Sequence, residues 1–281
     1  MNSTITAIPR NQQRTYHLPR LSVEELLDQG VTLIEQIPHD FPLTEAQARM
    51  CTAVKTGRPW ISNILAKELA RIKYPRCFMD FETFAPAIPW HARMRPYQQI
   101  PFQWSVHRKV GPDAELEHFY FLAEDDRDPR REFLNSLTEV LGQRGPIVVY
   151  NAGFESQRLG ELADYFPEHR QKIEMIQSRL WDLWPFIKTH IHHPQFHGSY
   201  SLKSVLPALV PDMTYEGMDI AHGGEARLAW DRMIRGGVDP VERRRLKTAL
   251  LEYCRQDTLP MLRILERLKT LTLKAQAAGA S

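Results

Sequence analysis

Two short apolar runs decide what this chain can fold into. Cys77-Phe78-Met79 runs directly into Asp80-Phe81-Glu82, and Ile147-Val148-Val149-Tyr150 runs into Asn151-Ala152-Gly153-Phe154-Glu155. A short run without polar alternation fits a strand buried on both faces, which needs a covering layer on either side. Between them, Ile100 to Val110 roughly alternates apolar and polar residues, as a half-buried strand does. Glu115 to Leu122 reads as its hairpin partner across the turn Gly111-Pro112-Asp113. Pro129 to Leu141, Phe154 to Tyr165 and most of Arg170 to Phe186 are patterned as helices. Ser201 to Leu206 fits a short helix, 216–224 is irregular, and a long amphipathic segment runs from about Val241 to Leu273. Strand, hairpin, helix, strand, helix and closing helix predict an α/β fold, a central sheet with helices on its faces and functional carboxylates gathered at one end.

The segment before Pro75 has a different character. Residues before about Leu21 read as a flexible leader, and Ser22-Val23-Glu24-Glu25 and Thr44-Glu45-Ala46-Gln47 both have capping-box spacing. A third helical stretch, Ile61 to Ile72, runs up to Tyr74-Pro75. Residues 1–74 are therefore expected to form a small helical appendage, residues 75–275 the main domain and 276–281 a tail. The apolar faces of the appendage would pack on the main domain or on a partner. Hydrophobic residues make up 43% and charged residues 25%, which excludes wholesale disorder. The net charge of +2 means that any surface for nucleic acid must be local. Cys51, Cys77 and Cys254 form no CxxC pair, which argues against a disulfide framework or a thiolate zinc site and fits a reducing cytosol. The polar N-terminus lacks a signal core and no stretch is long enough to span a membrane, so a soluble cytoplasmic protein is expected.

Three acidic motifs carry the chemistry. Asp80 and Glu82 have period-two spacing, so on a strand they point the same way. Burying them is costly unless they are paired or bind metal; taken alone, the pair also fits a solvated strand end. Asn151 stands at the exit of the second apolar run, with Glu155 about one helical turn later. Alone, these fit a structural turn and a solvent-facing or capping acid. Tyr253 and Asp257 are i and i+4 on one helix and share a face near Leu246, Ala249 and Leu250. The Pro260 ring opposes the carbonyl of Gln256, which predicts a kink. Together the four carboxylates can hold two divalent cations, an arrangement that drives much phosphodiester chemistry.

The order Asp80-Phe81-Glu82, then Asn151 to Glu155, then Tyr253-Cys254-Arg255-Gln256-Asp257 resembles the DEDD exonucleases, in the branch that carries Tyr, as in RNase D and polymerase proofreading domains. The resemblance covers about residues 75–270 and implies an RNase H-like fold, a mixed sheet flanked by helices. It implies that Asp80, Glu82, Glu155 and Asp257 hold two Mg²⁺ or Mn²⁺ ions and that Tyr253 orients or deprotonates the attacking water. The activity implied is 3′–5′ hydrolysis of single-stranded DNA or RNA. Pro96-Tyr97-Gln98-Gln99-Ile100-Pro101-Phe102-Gln103-Trp104-Ser105 and Ser201-Leu202-Lys203-Ser204-Val205-Leu206-Pro207 are similar to an uncharacterised bacterial family within this group, whose members often carry a RecB-like nuclease domain upstream. The stretch before Pro75 is too short to hold one, so an upstream nuclease or another protein is the partner expected for the N-terminal helices. Glu155 departs from the usual Asp, which moves its carboxylate by roughly a bond length against a tolerance of a few tenths of an ångström. Asp182, in Trp181-Asp182-Leu183-Trp184, is either a substitute ligand or supporting group, or a helix-surface acid between core tryptophans.

Other features are softer. Asn151, Phe84, Lys203, Arg95 and Tyr97 are the candidate substrate contacts, and Arg93, Arg108 and Lys109 add cations near the first motif. Mixtures of cations and rings of this kind hold single strands; they also fit an ordinary exposed loop and strand. Lys203 lies near a phosphate or simply on the surface of its helix. His190, His192, His193 and His197 fall in a Pro-broken loop and read as solvent-exposed rather than as a zinc site. Lys and Arg outnumber Asp and Glu between Val241 and Lys274, as on a solvated helix face or a phosphate-tracking strip. Two other functions fit the sequence: a catalytically weak or inactive nuclease-fold module that binds nucleic acid or protein, and an endonuclease used against foreign DNA.

Overall fold

The structure is a computed structural model and describes residues 13–18 and 24–279. In chain order the elements are α1 (Glu24–Asp28), α2 (Glu45–Thr56), β1 (Trp60–Ile61), α3 (Leu65–Leu69), β2 (Arg76–Phe84), β3 (Ile100–Lys109), β4 (Leu116–Leu122) and α4 (Arg130–Leu141). These are followed by β5 (Ile147–Val149), α5 (Ala152–Tyr165), α6 (Arg170–Gln177), β6 (Leu180–Asp182), α7 (Leu183–His190), β7 (Ile191–His192), α8 (Leu202–Leu209), α9 (Gly223–Arg235) and α10 (Pro240–Gly279). The chain divides into two compact units. One comprises residues up to Leu65 with Trp184–Asp212; the other comprises Ala66–Leu183 with Met213 onward.

The second unit carries a mixed five-stranded sheet in the order β4-β3-β2-β5-β6. The β2–β3 and β3–β4 pairs are antiparallel, whereas β2–β5 and β5–β6 are parallel. Helices cover both faces, because the apolar runs have no polar side to present to water. Cys77, Met79, Phe81, Ile147 and Val149 pack against Phe133, Leu137, Leu159 and Ile173 of α4, α5 and α6. Phe84, Ile100 and Phe102 pack against Trp230 of α9 and Leu250 of α10. Gly145, at φ +80, leads into β5 so close to the Pro75 carbonyl that a Cβ would overlap it. The fold is α/β, as the sequence predicts.

Several elements differ from expectation. β6 and α7 occupy part of the stretch patterned as one helix, and α9 begins within the irregular stretch. The expected helix over 61–72 is reduced to α3, with Ile61 in β1. β3 is not half-buried. Its polar side chains Gln103, Ser105 and His107 are at most 1% exposed because α10 covers them. Gln103 Nε2 donates to the Leu250 carbonyl at 2.8 Å. The Thr258 hydroxyl bonds Ser105 Oγ at 2.9 Å and His107 Nδ1 at 2.8 Å. A bulge after Glu82 sets Phe102 opposite no partner on β2, so Phe102 joins Ile100 on the α9/α10 face.

In the first unit the capping box of α2 is present, with Thr44 N donating to Gln47 Oε1 at 2.8 Å and Gln47 N to Thr44 Oγ1 at 3.4 Å. Leu26, Ile34, Met50 and Val54 form its core. Trp60 pairs with His192 and Ile61 with Ile191, so residues 184–212 return to the N-terminal region. A sequence division at Tyr74 differs from this arrangement, since a two-residue pairing leaves no periodic signal. His190 and His192 are buried rather than in an exposed loop, and burial pushes the His192 imidazole down to about 4. Among the described residues these histidines form no group able to hold a metal. Of the expected leader, residues 13–18 are described: Arg14 bridges Leu33, Thr15–His17 form a single 3-10 turn, and Leu18 is buried; its other residues, and Ser22-Val23 of the first capping box, lie outside the described residues. Among the described residues no helix is long and apolar enough to cross a membrane.

Histidines beneath α10 give the second unit a pH signature. His107 and His118 stack with ring centroids 4.4 Å apart. Burial is the main cause that pushes them down to about 3 and about 4, with Arg255 adding to both. The folded chain therefore binds fewer protons than the unfolded chain below the ordinary value of 6.5, and stability falls as pH drops. Denaturant unfolding between pH 7 and pH 4 should show this loss, and His107→Gln should flatten it.

Candidate metal centre

The sheet register positions the first two acids. Asp80 and Glu82 face the α9/α10 side of β2, opposite Ser105 and Gln103 of β3. Asp257 comes from α10, 175 residues after Glu82. One carboxylate oxygen from each of Asp80, Glu82 and Asp257 lies within 4.8 Å of the other two. Glu82 is buried and the other two are half-buried. Burial, then the charges of Asp257, Glu82 and Glu155, hold the Asp80 carboxyl well above the usual carboxylate range. A bound cation relieves that repulsion, and an all-oxygen donor set suits hard ions such as Mg²⁺ and Mn²⁺. The first residue of α9, Gly223, approaches Glu82 so closely that a Cβ there would lie 3.5 Å from Oε2. The positive end of α9 thus faces an acid.

Tyr215 completes the support of Asp257. Its hydroxyl donates to Asp257 Oδ1 at 2.7 Å, with the Gln256 carbonyl as a second acceptor at 3.1 Å. That carbonyl is available because Pro260, four residues on, has no N–H to bond it. α10 runs through Pro260 and continues to Gly279. No spacing signal could have identified Tyr215, which lies 42 residues from Asp257 in an irregular stretch.

Tyr253 is 5% exposed and packs beside Leu250. Burial, then Asp257, Glu82 and Asp80, push its hydroxyl far above the ordinary value, so it stays protonated. A protonated phenol can donate a hydrogen bond.

Glu155 stands apart from the close triad. It lies in the first turn of α5, 1% exposed, and its Oε2 has no hydrogen-bond partner. Burial pushes it up to about 8, with the Asp182 charge adding to the rise. Asp182 itself sits on a strand, not a helix surface, and accepts from the backbone N–H groups of Asn151 at 3.0 Å and Ala152 at 2.9 Å. It anchors the turn that carries Glu155. Asn151 is exposed, at φ +80, and its side chain does not cap α5.

The other candidate contacts are dispersed. Phe84 is 1% exposed and packs between Trp90 and Trp230, with centroids at 4.9 and 4.6 Å, so it is a core ring rather than an open contact. Arg95 and Tyr97 are exposed and line a polar cleft beside α5. Lys203 is exposed on α8, in the first unit.

Comparison with known proteins gives similarity without an assigned activity. Residues 77–201 match the family described as Domain of unknown function (DUF2779). The uncharacterized protein UU173 of Ureaplasma parvum is 23% identical over 227 residues, covering 74% of this chain and 33% of that protein. The uncharacterized MG366 homolog of Mycoplasma pneumoniae is 24% identical over 214 residues, covering 69% and 32%. Uncharacterized protein MG366 of Mycoplasma genitalium is 23% identical over 236 residues, covering 76% and 35%. The chain thus spans about a third of the length of these relatives. No solved structure gives a significant match.

Mn²⁺ or Mg²⁺ should raise the melting temperature of the chain, since a ligand bound only to the folded state stabilises it. Asp80→Asn should raise the melting temperature in EDTA, by removing a carboxyl crowded by other acids, and abolish the rise with metal. Thermal scans of both proteins with and without the ion measure this.

Proposed function

We propose that the chain is a divalent-cation-dependent nuclease that removes nucleotides from the 3′ end of single-stranded DNA or RNA, on an RNase H-like fold. The observation that carries this reading is the convergence of Asp80 and Glu82 from a strand with Asp257 from a distant helix, all within 4.8 Å. The mixed sheet is compatible with the fold, and the DEDD resemblance supplies the direction of cleavage. When bound, the cations would supply acidity to water and charge neutralisation at the scissile phosphate. Asp80, Glu82 and Asp257 would hold them, with Glu155 the fourth ligand once ionised. Tyr253 keeps its proton and orients the nucleophile; Tyr215 fixes the rotamer of Asp257.

One observation favours a second reading, a nucleic-acid-binding or protein-binding module of low or no activity. Glu155 is buried, unpartnered at Oε2 and outside the triad. The two readings separate on 5′-labelled RNA and DNA oligomers incubated with Mn²⁺. A ladder of shortened products supports the nuclease; binding without metal or product supports the module. Asp80→Ala should abolish the ladder while the far-UV spectrum is retained. Tyr253→Phe should keep the metal-induced rise in melting temperature and slow turnover by about 100-fold, the scale of a misplaced reactant. Cleavage by Asp80→Ala at the unaltered rate rules the nuclease reading out.

A further inference from the structure

The polar cleft beside α5 is not used by the metal centre. It has a volume of about 400 Å³ and lies in the second unit, lined by Arg95, Tyr97, Gln98, Gln99, Arg158 and Glu161 among others. Its lining comes from the same elements as the acidic site. Gln99 directly precedes Ile100, which pairs with Phe84, two residues beyond Glu82 on β2. Arg158 lies one turn beyond Glu155 on α5.

The cleft has an ordered interior. Arg158 is 4% exposed and grips Glu161 through Nε at 3.1 Å and Nη2 at 2.9 Å. Its Nη1 donates to the side-chain oxygen of Gln99. Gln98 accepts through Oε1 from Arg95 N at 2.9 Å. A carboxamide whose oxygen is committed in this way has its NH₂ left to donate elsewhere. Two oriented NH₂ donors therefore belong to this cleft. Tyr97 stands at its edge, 72% exposed, with φ +57. A tyrosine held in the left-handed region is strained, and such residues cluster at ligand-contacting positions. Arg95 is exposed on the same short loop.

Ring, paired donors and cation together match one nucleotide of a single strand. From these contacts we infer that the cleft seats a nucleotide of the strand entering the metal centre, an assignment that rests on the nuclease reading. The base stacks on Tyr97, base acceptor atoms bond the NH₂ groups of Gln98 and Gln99, and Arg95 meets the phosphate. Every base offers both a face and an acceptor, so the cleft discriminates single strand from duplex more than base from base.

The test is fluorescence anisotropy of 5′-fluorescein ten-nucleotide DNA and RNA single strands with the full chain in Ca²⁺, alongside cleavage in Mn²⁺. Tyr97→Ala should weaken binding about tenfold or more, the scale of one lost base stack. Tyr97→Phe should bind as the unaltered chain does, because the ring and not the hydroxyl is used. Arg95→Ala should reduce the dependence of binding on salt. Unchanged binding by Tyr97→Ala, or equal loss in Tyr97→Phe, overturns the cleft assignment while cleavage by the unaltered chain keeps the nuclease reading. Neither binding nor cleavage by the unaltered chain overturns both.

Discussion

Like charges held together against their own repulsion are the constraint on which this structure turns. Asp80, Glu82 and Asp257 present oxygens within 4.8 Å of one another in a partly buried site. Nothing in the local chemistry of carboxylates favours that approach. It is imposed from outside the site: β2 is paired on both sides, with β3 and β5, and α10 is packed across β2 and β3. The hydrophobic layers on the two faces of the sheet oppose relaxation of the acids away from each other. The packing of the fold thus holds the three acids close at a cost that protonation or a cation relieves.

Supporting contacts reach the site through hydrogen bonds rather than through more charge. Tyr215 steadies Asp257, Asp182 secures the turn that leads into Glu155, and Thr258, the next residue after Asp257, ties α10 to His107 and Ser105 on β3. Each contact has a short reach and a fixed direction, which suits the positioning of ligands. The same arrangement explains why α10 tolerates polar residues on its inner face. They meet the polar side of β3, where Leu250 and Thr258 of α10 bond Gln103, Ser105 and His107.

Much of this was legible in sequence where the signal is local. Period-two spacing placed Asp80 and Glu82 on one face of a strand, and the Thr44 cap is a hydrogen bond to a partner three residues away. The site became illegible where long-range packing decides. Tyr215 depends on the path of a loop, and the β3 polar face was taken for solvent because alternation cannot report what covers it. Leu180-Trp181-Asp182 became an edge strand by pairing with β5, a choice that helical patterning around it conceals. Glu155 alone reads as a solvent-facing or capping acid, and its burial follows from packing that the local sequence does not report.

Pro260 illustrates how a residue far from any ligand role can tune one. An ordinary amino acid there would offer an amide to the Gln256 carbonyl and close the helical ladder. The Tyr215 hydroxyl would then share that oxygen with an amide. With proline, the peptide oxygen has no helical donor, and Tyr215 bridges it to the carboxylate of Asp257. An imino acid in the middle of a forty-residue helix thereby opens a docking point on the backbone for a side chain that arrives from a distant loop.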